Sequence, residues 1–485
     1  MNDSDGESIL RNKVITGIKW ATMVRVASQA FSWVVTLAMV RLLTPHDYGL
    51  NSMIEVPIEV LVLFSTLGID AAIIRIGKHS PEQLASAFGY LLALNFLFFL
   101  ILFLFSNLIA EYFKEPGLTT LIQVTAVIFL LAPFRIIPNA LLDIDLDFKL
   151  KAQVELAAAI ISSTIALCLA VIGAGVWALV SAIVLGSVIR AGLLAYKRPW
   201  IIKPSLKMKP ILPLVRFGIV IVAQGTVGVL SGKILTLLAG PKVGVETLGF
   251  FAVASVFAML PMNKLMPIVQ QTMYPVISRL HDQPALSKKY LLKSLEYTSL
   301  VIFPMAIGTA CLSEHIISVI FGQKWLPMAV PLTLLASVTP ARLLNQIFAA
   351  PLNAVGRAKT VTAVHILNLT MLATGSLFAA NYGLIDLVYL TIFSSLVATV
   401  VSIIIGCRIF ELDIKKLILA VKPALVSSLL MAFALWLAAY EFNVFSNIVG
   451  LIFEVSIGVF VYLFSLLLLF RKTAMNVLNT LKQSD

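Results

Sequence analysis

Apolar stretches long enough to cross a lipid bilayer follow one another almost without pause from about residue 14 to residue 470. A membrane-spanning helix needs roughly 20 predominantly apolar residues. The hydrocarbon interior admits only helices or closed barrels, because backbone N–H and C=O groups there must be satisfied within the protein. Runs such as Leu91 to Ile109 are continuous and lack period-two alternation, so the spans are read as helices. The chain is 60% hydrophobic and 12% charged, whereas soluble domains are near half apolar and about a quarter charged. A water-soluble multidomain protein is excluded, and an all-α polytopic membrane protein is expected.

Fourteen spans are predicted, at 14–42, 47–75, 83–112, 117–141, 149–172, 175–196, 211–239, 245–275, 287–318, 326–354, 358–380, 383–408, 416–440 and 446–470. The polar, acidic start (Asn2, Asp3, Ser4, Asp5, Glu7) is unlike a cleavable signal peptide and reads as a short cytosolic tail. With the N-terminus in the cytoplasm, twenty-three of the 36 Lys and Arg fall in cytoplasmic segments. Only Arg41, Lys114, Lys242 and Lys324 are external. Lys and Arg concentrate on the cytoplasmic side of membrane proteins, so this asymmetry supports an even span count with both termini in the cytoplasm. The net charge of +12 is therefore read as topology, and no nucleic-acid partner is expected.

An internal repeat is visible. Pro133-Phe134-Arg135-Ile136-Ile137-Pro138-Asn139 in span 4 corresponds to Pro340-Ala341-Arg342-Leu343-Leu344-Asn345-Gln346 in span 10. A basic pair follows each, Lys149/Lys151 and Arg357/Lys359. Span 1 and its turn, Gly17 to Gly49, resemble Gly218 to Gly249, and Arg75 to Leu84 resembles Arg279 to Leu286. Six spans per copy is an even number, so the copies share orientation, as in parallel-repeat transporters. The expected organisation is a cytoplasmic tail (1–13), an N-lobe (14–196), a basic cytoplasmic linker (197–210), a C-lobe (211–408), an extra helix pair (409–470) and a cytoplasmic C-terminal tail (471–485). The linker is basic enough to meet anionic cytoplasmic lipid, although its residues also serve as topology determinants.

No enzyme signature is present, and nothing asks for a cofactor. Gly228 to Lys233 contains a Gly-Lys with the wrong spacing for a phosphate-binding loop, which argues against ATP-driven transport by this chain alone. Asp143, Asp145 and Asp147 have the D-x-D spacing of some metal-binding transferases, but with no nucleotide domain around them they read as a solvated loop. Cys168, Cys311 and Cys407 have no metal-like spacing and read as packed residues, as does His365; no metal site is expected.

Charges inside the bilayer are the informative feature, since each costs about 2.5–3.5 kcal/mol at the midplane even on the lenient insertion scale. Lys19, Arg135, Arg190 and Arg216 lie near cytoplasmic ends, where long side chains snorkel to water. Arg25, Lys264 and Arg342 lie deeper, and Lys233 sits in the external half of span 7. These four are read as lining a cationic cavity that suits a phosphate or diphosphate head group. The competing reading is ion pairing with the carboxylates of span 2. Those carboxylates, Glu55 and Glu59, are one turn apart on one face and flank Pro57. They are read either as a proton or cation coupling site or as partners for Arg25 or Lys264.

Several segments resemble a known family. Gly17-Ile18-Lys19-Trp20 opens span 1, and Arg41-Leu42-Leu43-Thr44-Pro45-His46-Asp47-Tyr48-Gly49-Leu50 closes it. Asp145-Leu146-Asp147-Phe148-Lys149 and Phe321-Gly322-Gln323-Lys324-Trp325 follow. They resemble the polysaccharide transporter, or Wzx-type flippase, branch of the multidrug/oligosaccharidyl-lipid/polysaccharide exporter superfamily. The resemblance implies a bacterial inner-membrane protein that moves undecaprenyl-diphosphate-linked oligosaccharide units to the periplasmic leaflet, for O-antigen, capsule or exopolysaccharide assembly. It implies alternating access around a cationic cavity, an ion gradient (H+ or Na+) or membrane potential as the drive, and a polysaccharide polymerase as a working partner. The alternatives are a same-fold exporter of a peptidoglycan precursor or amphipathic drug, and a membrane glycosyltransferase or ligase. The absence of a sizeable extramembrane domain argues against the enzyme.

Overall fold

The computed structural model describes residues 31–77, 79–200, 202–280, 283–379, 381, 383–442 and 447–482, and its regular elements are helical throughout. Contacts divide the chain into two compact units, Met1–Leu237 and Leu238–Asp485.

The first unit contains α1 (Phe31–Leu42), α2 (Pro45–Ser65), α3 (Ile69–Ile76), α4 (Pro81–Phe113), α5 (Leu118–Leu131), α6 (Pro133–Ile144), α7 (Phe148–Val171), α8 (Val176–Lys197) and most of α9 (Met208–Val243). The turn that carried the family resemblance is a helix cap. Thr44 Oγ1 accepts from the Asp47 N–H at 3.3 Å, and the Asp47 carboxylate accepts from the Thr44 N–H at 2.8 Å. Pro45 sits at the start of α2, where its missing N–H would be unpaired in any helix. On α7 the buried residues are Val154, Ala158, Ser162, Ala166 and Ala170, every fourth position. Such a small-residue stripe permits close helix approach in lipid, and α7 packs along α8. The linker folds back on α4: the Ser205 N–H donates to the Ala85 carbonyl at 2.9 Å, and the Tyr90 hydroxyl donates to the Leu206 carbonyl at 2.9 Å. Gly89 is required there, because a Cβ would lie 2.2 Å from the Ser205 carbonyl oxygen.

The second unit continues with α10 (Val245–Ala258), α11 (Leu260–Arg279), α12 (Pro284–Cys311) and the short α13 (Ser313–Ile316). Then come α14 (Ala329–Ser337), α15 (Thr339–Ile347), α16 (Ala349–Ala354), α17 (Ala358–Ala379), α18 (Leu384–Ile409), α19 (Ile414–Phe442), α20 (Ile448–Leu469) and α21 (Arg471–Lys482). Its main core joins α11, α12, α15, α16, α18 and α19 through residues such as Met266, Leu295, Leu343, Phe348 and Ala424. The C-terminal helices are fastened to α12 by a backbone group that proline sets free. Pro304 has no N–H to give the Leu300 carbonyl, and the Tyr462 hydroxyl donates to that oxygen at 2.8 Å.

Among the described residues, ten helices are long and apolar enough to cross a membrane, or up to twelve if each of two bent pairs is one span. Of the remaining predicted spans, 14–42 is described only from residue 31, as α1, and 211–239 lies within the 36-residue α9. Predicted spans 4 and 8 are not continuous helices: α5 and α6 meet at 43°, and α10 and α11 at 46°. Proline is the cause in both. Pro133 deprives the Phe129 carbonyl of its usual donor, and the Ala132 N–H closes a tighter turn onto it at 3.3 Å. Pro261 likewise has no N–H for the Phe257 carbonyl, and α10 is capped at Met259, whose N–H donates to the Ser255 carbonyl at 3.1 Å. The two segments expected to be repeat copies share one local feature, with Pro133 and Pro340 each in the first turn of a helix.

Candidate functional site

Within the first unit, α2 and α9 bring three ionisable side chains together inside an apolar surround. Lys233 Nζ lies 2.6 Å from Glu55 Oε2 and 3.0 Å from Glu59 Oε1. The other Glu55 oxygen accepts from Asn51 Nδ2 at 2.7 Å, one turn earlier on α2. The sequence predicted that Glu55 and Glu59 share a face, and they do. Pairing with these carboxylates was the competing reading for all four deep cations, with Arg25 or Lys264 named as partner; Lys233 is the one that occupies the place, and Arg25 lies outside the described residues. Lys233 is one of the four residues predicted to line a cationic cavity, and here two carboxylates partner its charge.

Two acids and one ammonium leave one negative charge when all are ionised. Such a group takes up a proton or small cation without burying net positive charge. Glu55 has two donors and a side chain 34% exposed, whereas Glu59 has one donor and is 46% exposed. Glu59 is therefore the carboxylate more open to exchange.

The remaining candidates lie in the second unit. Arg342, in the first turn of α15, donates from Nε to Ser395 Oγ at 3.2 Å and from a terminal nitrogen to Met259 Sδ at 2.9 Å. Both partners are neutral, and among the described residues no carboxylate lies within ion-pair distance of Arg342. Met259 is the break between α10 and α11, so the guanidinium sits at the bend. Thr339 reinforces that junction by donating to the Ala258 carbonyl at 3.1 Å. A ladder of α18 hydroxyls holds α15 in register: Thr399 donates to the Ala341 carbonyl at 3.1 Å, and Ser402 to Asn345 Oδ1 at 2.6 Å. Lys264 lies on the exposed face of α11.

Elsewhere the structure reassigns polar groups. The aspartates of 143–147 are not a free solvated loop. Asp143 pairs with Lys151 at 2.6 Å, Asp145 pairs with Arg198 at the end of α8, and Asp147 caps α7 by accepting the Leu150 N–H at 3.1 Å. Arg190, expected to snorkel, pairs with Glu155 at 2.8 Å. No cluster of three His, Cys, Asp or Glu suited to a metal occurs among the described residues. One pair escaped the sequence reading: His315 Nδ1 and Glu454 Oε2 are 2.6 Å apart and both largely buried. A lone carboxylate within the apolar run of α20 was the available signal.

Residues 38–330 match the model of a family described as "Polysaccharide biosynthesis protein". The chain is 26% identical to lipopolysaccharide biosynthesis protein WzxC of Escherichia coli (strain K12), over 65% of each chain. It is 24% identical to teichuronic acid biosynthesis protein TuaB of Bacillus subtilis (strain 168), over 97% of this chain and 98% of the relative. It is 23% identical to succinoglycan biosynthesis transport protein ExoT of Rhizobium meliloti (strain 1021), over 96% and 95%. The fold is similar to that of lipid II flippase MurJ in an inward closed conformation, with TM-score 0.75, 15% identity and coverage of 93% of this chain and 99% of MurJ. An inward-facing multidrug resistance MATE transporter of the MOP superfamily gives 0.60 at 15% identity, over 78% and 94%. The chain belongs to the polysaccharide biosynthesis protein family.

Proposed function

We propose that this protein is a flippase for undecaprenyl-diphosphate-linked oligosaccharide units in the bacterial inner membrane, supplying O-antigen, capsule or exopolysaccharide assembly. It works by alternating access with fourteen spans, two parallel six-span lobes plus a terminal pair, and both ends in the cytoplasm. A polysaccharide polymerase consumes the delivered units.

Arg342 carries the reading. A guanidinium held at a helix break by a hydroxyl and a thioether retains its positive charge for an external anion, and its planar donor array matches phosphate oxygens. Arg25 and Lys264 complete the anion-binding set, while Lys233 serves the coupling group with Glu55 and Glu59. Proton or sodium binding at Glu59 would loosen its hold on Lys233 and so couple the gradient to movement between α2 and α9.

The test is translocation of a fluorescent undecaprenyl-diphosphate oligosaccharide in vesicles, together with surface-polysaccharide complementation. Arg342→Gln is expected to lower translocation about 10–100-fold at unchanged membrane abundance, as for a lost charge-assisted hydrogen bond of about 1.5–3 kcal/mol. Arg25→Gln and Lys264→Gln are expected to impair complementation too, and full activity in all three variants would sink the cationic-cavity mechanism. Glu59→Gln is expected to abolish dependence on the proton or sodium gradient; unchanged dependence would leave that residue structural.

A further inference from the structure

The second unit holds a cavity of about 230 Å³ that none of these roles explains. Gln270 of α11, Asn345 and Gln346 of α15, His365 of α17 and Ser402 of α18 converge on it. Among the described residues no acidic residue, lysine or arginine lines it, and Leu352, Val361 and Ile405 supply apolar wall. Uncharged hydrogen-bonding groups set beside apolar surface match the alternating hydroxyl and C–H faces of a sugar ring. The volume is far larger than the roughly 10–15 Å³ that admits one water, so it exceeds what a single small cation fills.

The wall is built for an external partner. Ser402 donates to Asn345 Oδ1 at 2.6 Å, which fixes that amide and leaves its NH₂ group to donate elsewhere. Gln270, Asn345 and Gln346 are half-buried at the cavity wall, where an amide surrounded by apolar side chains gains from a hydrogen-bonding partner. Gln346 lies one turn from Arg342 on the same face of α15, so the cavity adjoins the proposed diphosphate anchor.

The depth is consistent across the helices. His365 is two turns from the start of α17, Ser402 two turns from the end of α18, Gln346 beside the C-terminal end of α15, and Gln270 at the middle of α11, in the second half of the bent pair α10 and α11. Arg279 and Arg408 close the last turns of α11 and α18, and Arg357 precedes α17; all three are cytoplasmic in the proposed topology. The cavity thus lies in the half of the membrane from which a lipid-linked glycan would enter.

We infer that this cavity is a carbohydrate subsite that receives a sugar of the lipid-linked unit, with Gln270 and Gln346 bonding its hydroxyls. The inference rests on the flippase reading. The test is native mass spectrometry of the full chain with undecaprenyl diphosphate alone and with its glucosyl, galactosyl and N-acetylglucosaminyl forms. At least one glycosyl lipid is expected to bind about tenfold more tightly than the bare lipid, as for one or two net hydrogen bonds. In the Gln270→Met/Gln346→Met variant that preference is expected to shrink to about twofold or less, while the bare lipid binds both proteins alike. If the double variant fails to fold, Gln346→Asn, which withdraws the amide by one methylene, is expected to lose part of the preference.

Equal binding of all four lipids by the wild-type protein overturns the inference and leaves the flippase reading standing. So does a preference that survives in the variants, or a sodium-dependent stabilisation that the variants lose, which would make the cavity a cation site. Failure of the wild-type protein to bind any of the four overturns the flippase reading, and the subsite with it.

Discussion

Glu454 sits 5% exposed in a helix that otherwise reads as lipid-facing apolar surface, and His315 is the side chain that makes this tolerable. Removing one member of a buried pair leaves the other's polar group stranded, at a typical cost of about 3–5 kcal/mol, whereas replacing both is far less damaging. His315→Leu is therefore expected to lower the thermal unfolding midpoint of the purified protein sharply, and His315→Leu combined with Glu454→Leu to recover most of the loss. A double variant no more stable than the single would mean that the pair does not hold Glu454. At this scale the sequence told half of each interaction. Glu55 and Glu59 were legible as neighbours because helical spacing places them so. Their partner Lys233 is 178 positions from Glu55, and only the packing of α9 on α2 brings it there. Arg342 was legible as a deep charge, but its neutral partners Ser395 and Met259 carry no charge signature.

Helix breaks follow proline at two places, but proline alone does not foretell them, since Pro57, Pro267 and Pro304 lie inside continuous helices. Pro133 and Pro261 mark the two sharp bends, as the lost hydrogen bonds require. The interruption between α2 and α3 has another origin: Gly68 adopts φ +62°, and Gly218 of α9 packs directly on it. A Cβ on Gly218 would lie 1.9 Å from the Leu67 carbonyl oxygen and 2.9 Å from Gly68 Cα, both backbone atoms that cannot swing aside. Gly232, in the same helix, has nothing within 4 Å of its added Cβ. Alanine favours a helix over glycine by about 0.5–1 kcal/mol, so Gly232→Ala is expected to be neutral or stabilising. Gly218→Ala is expected to destabilise by about 1–3 kcal/mol, as overpacking does. Parallel thermal melts of the two variants check this; an unchanged midpoint for Gly218→Ala would rule out the close approach. Glycine in a span signals permitted contact, but nothing in one sequence says with what.

At the scale of the whole molecule, topology depends on whether each bent pair crosses the membrane or turns back within it. The positive-inside pattern places Lys114, Lys242 and Lys324 on one side, with four predicted spans between the first two and two between the last two. The pair α5 and α6 belongs to the first interval, and α10 and α11 to the second. If α5 and α6 formed a re-entrant hairpin, three crossings would separate Lys114 from Lys242 and put them on opposite faces. A re-entrant α10 and α11 would likewise separate Lys242 from Lys324. The bends of 43° and 46° are far from reversals, and helices bent by that much still advance through the bilayer, so both pairs are expected to cross. Cysteines introduced singly at 114, 242 and 324, with Cys168, Cys311 and Cys407 replaced by alanine, are therefore expected to react in intact cells with a membrane-impermeant maleimide. Cysteines at 203, 289 and 357 are expected to react only after permeabilisation. Disagreement between 114 and 242 would identify α5–α6 as re-entrant, and disagreement between 242 and 324 would identify α10–α11. Charge bias yields a definite expected topology because the loops are short and basic residues resist translocation. It reads loops rather than helices, so it is blind to the bends themselves, and the two observations meet only in this labelling pattern.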